Sequence, residues 1–351
     1  MAADYGPILY SPDYLDRLRG LVLTQDELHR AAYVLGQLSP HDLEWKRRCV
    51  RCCRAMKSNK CRARKRQAAG APASAAPQDP DKPDKPDEII VRCKFHPGVI
   101  SRKRWTCCRN HISAKPCAQD EWHSPRLYAV GELETNWIFY ATPSTSPPFQ
   151  PAAVVVIDCE MGTACSGESE LIRVSVVDYF SRNVLLDRLV LPDAKMSHYN
   201  TRYSGISKPM MDDALRRGRC FLGRDEARIA VLRLIGPKTI VVGHAGNQDL
   251  TSLRWIHSFV IDTLHIEKKR RKDKSEAEDA AVAAQRPAPP LQTNPDDEKD
   301  AAPRHETGLS LKALARERLN REIQTKGKGH DSVEDALATR DLLHWYVTHP
   351  D

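Results

Sequence analysis

The chain has 351 residues, 41% hydrophobic and 28% charged, with a formal net charge of +8 and eleven cysteines. A length of that order suits about two domains, and the apolar content is too high for a chain disordered throughout. No run approaches the ~18 consecutive apolar residues of a membrane-spanning helix. The first residues, MAADYGPILYSPDYLDRL, have neither the basic start nor the apolar stretch of a secretory leader, so an intracellular protein is expected.

Residues 1–45 read as a helical N-terminal segment. Thr24 and Glu27 have capping-box spacing, and Leu28, Ala31, Ala32, Val34 and Leu35 follow as an apolar stripe. Residues 46–125 read as a basic module. Between 46 and 66 stand eleven Lys or Arg and no acid, and 67–88 (QAAGAPASAAPQDPDKPDKPDE) is a linker with no means of burying a core. Residues 126–151 connect, ending in the Pro/Ser stretch TPSTSPPFQP.

From 152 to 350 the pattern is α/β. Strands are expected at 152–157, 171–177, 183–191, 239–242 and 259–261, and helices at 227–235, from 250, at 309–319 and at 332–345. Residues 268–307, which begin KKRRKDK, read as a disordered insertion.

Three local patterns carry chemistry. Asp158 and Glu160 end an apolar strand two residues apart, so their carboxylates share a face. Two like charges there repel, and a divalent cation compensates them directly; taken singly, such a pair is more often solvated surface. Asp249, in GHAGNQDL, falls early in a helix after a strand, where it is either a site residue or a cap. In HDSVEDA, Asp331 and Glu334 have N-cap and N3 spacing. That starts a helix at Ser332 and brings His330 at N′ beside Asp335 at N4.

With these motifs in this order, the chain resembles the DEDDh exonucleases, and among them the Rex-type RNA exonucleases. The matching text is VVVIDCEMG (154–162), YNTRYSGIS (199–207), VVGHAGNQDL (241–250), IDTLHI (261–266), and GLSLKALA with HDSVEDALA (308–338). The resemblance implies a ribonuclease H-like exonuclease domain, a mixed β-sheet flanked by helices. It also implies two Mg²⁺ or Mn²⁺ ions held by Asp158, Glu160, Asp249 and Asp335, with His330 as general base. Met161 and Gly162 stand where that family contacts the terminal nucleotide, although core packing explains Met161 equally well.

Eight of the eleven cysteines lie between Cys49 and Cys117, interleaved with histidines. The adjacent pairs Cys52-Cys53 and Cys107-Cys108 fit a disulfide framework poorly, so one or two structural Zn²⁺ ions are expected. Cys49, Cys52, Cys93 and His96 form two knuckle-like pairs, and Cys107 or Cys108 with His111, Cys117 and His123 supply a second set. The stretch CKFHPG…RWTCC…C resembles CHORD-type zinc modules. The basic run 46–66 is expected to contact nucleic-acid phosphates, whereas RARKR (62–66) within it and KKRRK (268–272) are nuclear import signals, phosphate contacts or simply solvated charge.

The function expected is metal-dependent hydrolysis of RNA from its 3′ end, releasing 5′-nucleotides, in the nucleus, with the cytoplasm an alternative. RNA is the expected partner. No membrane is, and the zinc module could hold a protein partner. The competing readings are a DNA exonuclease of the same mechanism and a non-catalytic scaffold.

Overall fold

The computed structural model describes residues 5–55, 93–102, 104–112, 114–144, 150–285, 308–325 and 329–350. The expected linker 67–88, RARKR at 62–66, Cys61, and residues 286–307 of the expected insertion lie outside the described residues. The chain forms two compact units: residues 1–36, 139–162 and 169–351, and residues 37–138 with 163–168. No described helix is long and apolar enough to cross a membrane.

The larger unit is mixed α/β. Its seven-stranded sheet runs, edge to edge, Cys220–Leu222, Val184–Leu191, Ser169–Asp178, Val154–Ala164, Ile240–Gly243 and Val260–Asp262, and Met196–His198 pairs with the Val154–Ala164 strand. Val154–Ala164, Ile240–Gly243 and Val260–Asp262 run parallel, whereas Ser169–Asp178 and Val184–Leu191 are antiparallel. A parallel strand buried on both faces needs a continuous apolar run. Val154, Val155, Val156 and Ile157 supply it, each at most 1% exposed. One face packs Val155, Ile157, Val241 and Val260 under the Gly223–Leu232 helix. The other packs Val154, Val156 and Val242 against Ala336 and Leu343 of the last helix, Ser332–Thr348.

Three expectations are corrected here. The first 45 residues are not a separate segment, because residues up to 36 belong to the large unit. Tyr14, Leu15 and Leu18 sit in one core cluster, and Leu23, Leu28 and Tyr33 in the other. The fully buried Arg340 also donates to the carbonyls of Tyr5 (2.9 Å) and Gly6 (2.7 Å), charge-assisted bonds that hold the start of the chain. Second, the Thr24–Glu27 capping box forms, but its helix is only Gln25–Arg30, and Ala32 turns left-handed (φ 61°) before the apolar stripe is complete. Third, residues 268–285 are helical, continuing the helix Thr263–Gln285. Pairs one turn apart hold it, Lys272–Glu276 (3.5 Å) and Lys274–Glu278 (3.9 Å), where an unbroken charge run reads as disorder.

The smaller unit has little regular structure: short helices Pro40–Glu44 and Glu132–Asn136 and two-stranded ladders Cys93–Phe95 with Ala118–Asp120 and Ile100–Ser101 with Arg104–Trp105. The expected connecting segment 126–151 divides between the units at Phe139.

Candidate functional site

Four acids and one histidine gather at one end of the parallel strands. Asp158 and Glu160 lie on the central strand just past its pairing with Ile240–Val242. Asp249 lies in the first turn of the helix Asn247–Ser252, and its Oδ1 accepts the backbone N–H of Cys159 at 3.0 Å, which ties it to the Asp158–Glu160 segment. The last helix starts at Ser332, as the spacing predicts, with Asp331 as N-cap accepting the N–H of Val333. This start brings His330 Nδ1 to 3.6 Å from Asp335 Oδ2. Ligand atoms of Glu160, His330 and Asp335 all lie within 4.8 Å of one another.

The electrostatics are those of an anion cluster short of cations. Burial pushes the Asp158 carboxyl well above its usual range, and Asp249, Asp335 and Glu160 push it further; Arg173 opposes them. Glu160 is raised to about 8, by burial first and then by Asp335. Burial raises Asp335 to about 6 against the hydrogen bond from Gln324. Asp249 is also raised well above its usual value by burial, and the Cys159 N–H only partly offsets it. Asp335 Oδ1 is buried with no hydrogen-bond partner. An orphaned carboxylate oxygen among repelling acids is costly unless something positive meets it, and a hard divalent cation takes such oxygen ligands. The residues present therefore fit divalent metal.

Several residues hold this arrangement that sequence reasoning did not single out. Gln324 donates from Nε2 to Asp335 Oδ2 at 2.9 Å and from its backbone to Glu334 at 3.1 Å, in a left-handed conformation (φ 53°). Glu334 therefore does not complete a capping box. Arg173 grips Asp187 with two bonds (2.8 and 2.9 Å) and reaches Asp331 at 3.1 Å, while Ser175 meets Ser332 at 2.6 Å. These bonds dock the start of the last helix on the Ser169–Asp178 strand. The YNTRYSGIS motif has a structural role beside them. Asn200 donates to the Met161 carbonyl at 3.0 Å, and the His330 N–H donates to the Tyr203 carbonyl. Gly205 and Gly329 approach so closely that a side chain on Gly329 would collide with the Gly205 backbone. Gly162 is likewise a close-approach residue, since a Cβ there would meet Met196 and the His198 carbonyl, and Met161 packs half-buried on the core.

The cysteines assemble into two four-ligand groups in the smaller unit, in a different partition from the expected one. Cys49, Cys52, Cys93 and His123 form one, and His96, Cys107, Cys108 and Cys117 the other. His96 and His123 thus exchange places, Cys107 and Cys108 both take part, and His111 is in neither group. The reason is the antiparallel pairing of Cys93–Phe95 with Ala118–Asp120, which carries Cys93 towards the His123 end of the chain. Cys49 and Cys93 sulfurs are 3.7 Å apart, Cys52 Sγ and His123 Nδ1 3.2 Å, and Cys107 and Cys117 sulfurs 3.5 Å. Zn–S bonds of about 2.3 Å in a tetrahedron put sulfurs about 3.8 Å apart. His96 Nε2 lies 3.3 Å from the Ala114 carbonyl, which leaves Nδ1, 3.5 Å from Cys108 Sγ, for a metal. Burial raises the Cys49 thiol, but backbone N–H groups of Cys52 and Arg51 and the His123 side chain outweigh it and bring it to about 6. Both groups could therefore hold metal. The described part of the basic run is largely engaged within its own unit: Arg47 pairs with Glu44 (2.8 Å), Arg51 with Asp120, and Arg48 donates to the Cys53 carbonyl (2.9 Å).

No protein-family model matches the chain. It is 30% identical over 258 residues to RNA exonuclease 3 of Candida albicans, covering 73% of this chain and 54% of that protein. It is 36% identical over 200 residues to human interferon-stimulated 20 kDa exonuclease-like 2, covering 55% and 45%. The chain thus spans about half the length of these relatives. The Pan2 catalytic unit of Neurospora crassa aligns over 62% of this chain and 33% of its own at 19% identity and a TM-score of 0.39, too loose a likeness to bear on the site.

Proposed function

We propose that the chain is a divalent-metal-dependent 3′→5′ exoribonuclease of the DEDDh type, its larger unit a ribonuclease H-like domain and its smaller unit a zinc-stapled, CHORD-like module. The observation that carries the reading is the grouping of Glu160, Asp335 and His330 within 4.8 Å of one another at an orphaned Asp335 oxygen, with Asp158 and Asp249 electrostatically coupled to them. A relative named RNA exonuclease 3 and one named as exonuclease-like support it. Magnesium or manganese, held by these four acids, would supply Lewis-acid stabilisation of the scissile phosphate and of the departing 3′ oxygen.

The chain's own residues supply the rest. His330, whose pKa burial holds below its usual value, is a neutral imidazole near pH 7 and can take the proton from an attacking water. Asp335 Oδ2 lies 3.6 Å from its Nδ1, and the Tyr203 carbonyl accepts its backbone N–H. Arg173 and Asp331 fix the loop that carries it. Attack on the last phosphodiester releases a nucleoside 5′-phosphate and leaves a 3′-hydroxyl on the shortened strand. A nuclear location is part of the proposal, resting on KKRRK at 268–272 and RARKR at 62–66.

Labelled RNA and DNA oligonucleotides incubated with Mg²⁺, Mn²⁺ or EDTA test the reading. RNA shortened from its 3′ end with metal, and intact with EDTA or with Asp158→Ala, is expected. Equal inertness of wild type and Asp158→Ala on every substrate sinks it.

Two predictions belong here. Gln324→Met keeps the side chain's length and removes the donor to Asp335; a hydrogen bond to a charged group contributes about 1.5–3 kcal/mol. Its kcat/KM at limiting Mg²⁺ is expected to fall about tenfold and to recover largely at high Mg²⁺, as a titration of rate against Mg²⁺ would read. The second concerns zinc. Two equivalents are expected per chain, and a chelator should remove them in two phases. The Cys107–Cys117 group leaves first because those two thiols are exposed, whereas Cys49 and Cys93 are buried. Release in one phase, or less than one equivalent, counts against the paired sites.

A further inference from the structure

A cavity of about 310 Å³ opens in the larger unit beyond Asp249, bounded by Arg30, Ala32, Asn247, Asp262, His265 and Lys268. Three of these side chains are basic. The single acid among them, Asp262, is already satisfied: its carboxylate accepts the Tyr33 hydroxyl (2.8 Å) and the N–H groups of Ala245 and Leu264 (both 3.0 Å). It forms part of the cavity's frame. Ala245 also lines the cavity. Ala245 and Ala32 both have left-handed backbones, at φ 57° and 61°. Such conformations are disfavoured for residues with a side chain and cluster at functional sites. Here they turn the chain sharply while exposing only methyl groups. The left-handed turn at Ala32 sends Tyr33 inward to Asp262, and the exposed Arg30, whose Nε donates to the Asp26 carbonyl (3.3 Å), stands at the rim. Glu27, 3.5 Å from His265 Nε2, orients the imidazole.

The position follows from strand order. His330 is docked on the Ser169–Asp178 side of the central strand through Arg173–Asp331 and Ser175–Ser332. Asp249 follows the strand on the opposite side, Ile240–Gly243, and Asp262 ends the next strand out. From His330 to the cavity, the carboxylates lie between. In an in-line displacement the attacking and leaving oxygens stand on opposite sides of phosphorus. If water is deprotonated by His330, the leaving 3′ oxygen and all the strand upstream of it point towards Asp249, and the cavity is the next thing they meet.

We propose that this cavity is a subsite for a backbone phosphate of the RNA strand upstream of the scissile bond, held by Arg30 and Lys268 with Asn247 at its inner edge. The assignment rests on the exonuclease reading above. It gives the N-terminal segment a purpose beyond packing, since residue 30 reaches the substrate only because residues 5–36 fold into this unit. A phosphate there adds a counter-charge beside Arg30 and Lys268, and the affinity gained must fall with salt.

The test compares the double variant Arg30→Glu/Lys268→Glu with Arg19→Glu, an exposed arginine away from the cavity, paired with Asp16. Binding of a fluorescein-labelled RNA octamer is measured by anisotropy in the Asp158→Asn background, with EDTA present, across a range of salt. Cleavage of the octamer and of the dinucleotide UpU is measured in the otherwise wild-type chain with Mg²⁺. The double variant is expected to weaken octamer binding about tenfold and to flatten the salt slope by about 0.7 for each phosphate it no longer neutralises. Its UpU cleavage should stay within about twofold of Arg19→Glu, because UpU has no phosphate upstream of the scissile one. An unchanged octamer Kd, or equal losses on UpU and octamer, overturns the subsite. If wild type cleaves RNA and the double variant binds the octamer like the control, the subsite alone fails. If wild type neither binds nor cleaves RNA, the exonuclease reading falls and the subsite with it.

Discussion

Replacing Asp158 by asparagine is expected to lower turnover by at least about four orders of magnitude, on the order of 5 kcal/mol of transition-state stabilisation, while raising the melting temperature of the metal-free protein by a few degrees. The two effects have one cause. Asp158 stands among Asp249, Asp335 and Glu160 in a site that burial alone already makes hostile to charge. An isosteric amide removes one charge from that repulsion without opening a cavity, so the fold gains what the chemistry loses. The same repulsion sets a pH signature. Glu160 is raised from 4.5 to about 8 and Asp335 from 3.8 to about 6. The folded chain therefore holds protons that the unfolded chain has released. Their stabilising contribution is fully present below the unfolded values near 4, and is lost as pH rises through about 6 and then about 8. Metal-free protein should thus melt lower at pH 8.5 than at pH 5.5, and Mg²⁺ should recover most of the difference at the higher pH, because the cation neutralises the carboxylates that have lost their protons. Scanning calorimetry at the two pH values, with and without Mg²⁺, reads all of this. A lower melting temperature for Asp158→Asn would mean that the carboxylate is a structural partner, and unchanged turnover would place the chemistry elsewhere.

The candidate constellation of acids and histidine is legible in the sequence because each piece is local. A D-x-E on an apolar strand, an acid one turn into a helix, and a histidine at N′ of a capped helix are patterns that backbone period alone interprets. The contacts that assemble them are not local. Gln324 reaches Asp335 from a loop, and Tyr33 reaches Asp262 across more than two hundred residues; neither is periodic. The N-terminal segment reads as separate because its apolar stripe is short, yet Arg340 and the sheet's two core clusters claim it. The partition of the cysteines and histidines into two groups is hidden for a similar reason. Sequence neighbours Cys93 and His96 look like a pair, but the Cys93–Phe95 strand is extended and sends them to different groups. The charged helix past residue 267 reads as disorder because i,i+4 pairing, not burial, sustains it.

Replacing His330 by alanine is expected to lower kcat about 10²–10⁴-fold, the usual contribution of a positioned general base, and to change the shape of the pH–rate profile as well as its height. In the folded chain the imidazole is held below its usual 6.5 by burial first and by Lys312 second, with Glu334 opposing. It is therefore neutral over most of the range above pH 6.5. At saturating Mg²⁺, where bound metal keeps the carboxylates deprotonated, wild-type kcat should be flat near pH 7–8. It should then decline as pH falls below 6.5 and His330 takes up a proton. His330→Ala should lose that acid limb, because the group that titrates is gone. Lys312→Met offers an independent check. Lys312 donates to the Gln324 carbonyl at 2.6 Å, and its charge repels the proton on His330. Removing that charge should move the acid limb upwards in pH, towards the ordinary imidazole value, with little change in the plateau. If the limb survives in His330→Ala, another group titrates there and His330 is not the base. If Lys312→Met moves the limb downwards, the electrostatics assigned to this corner of the site have the wrong sign.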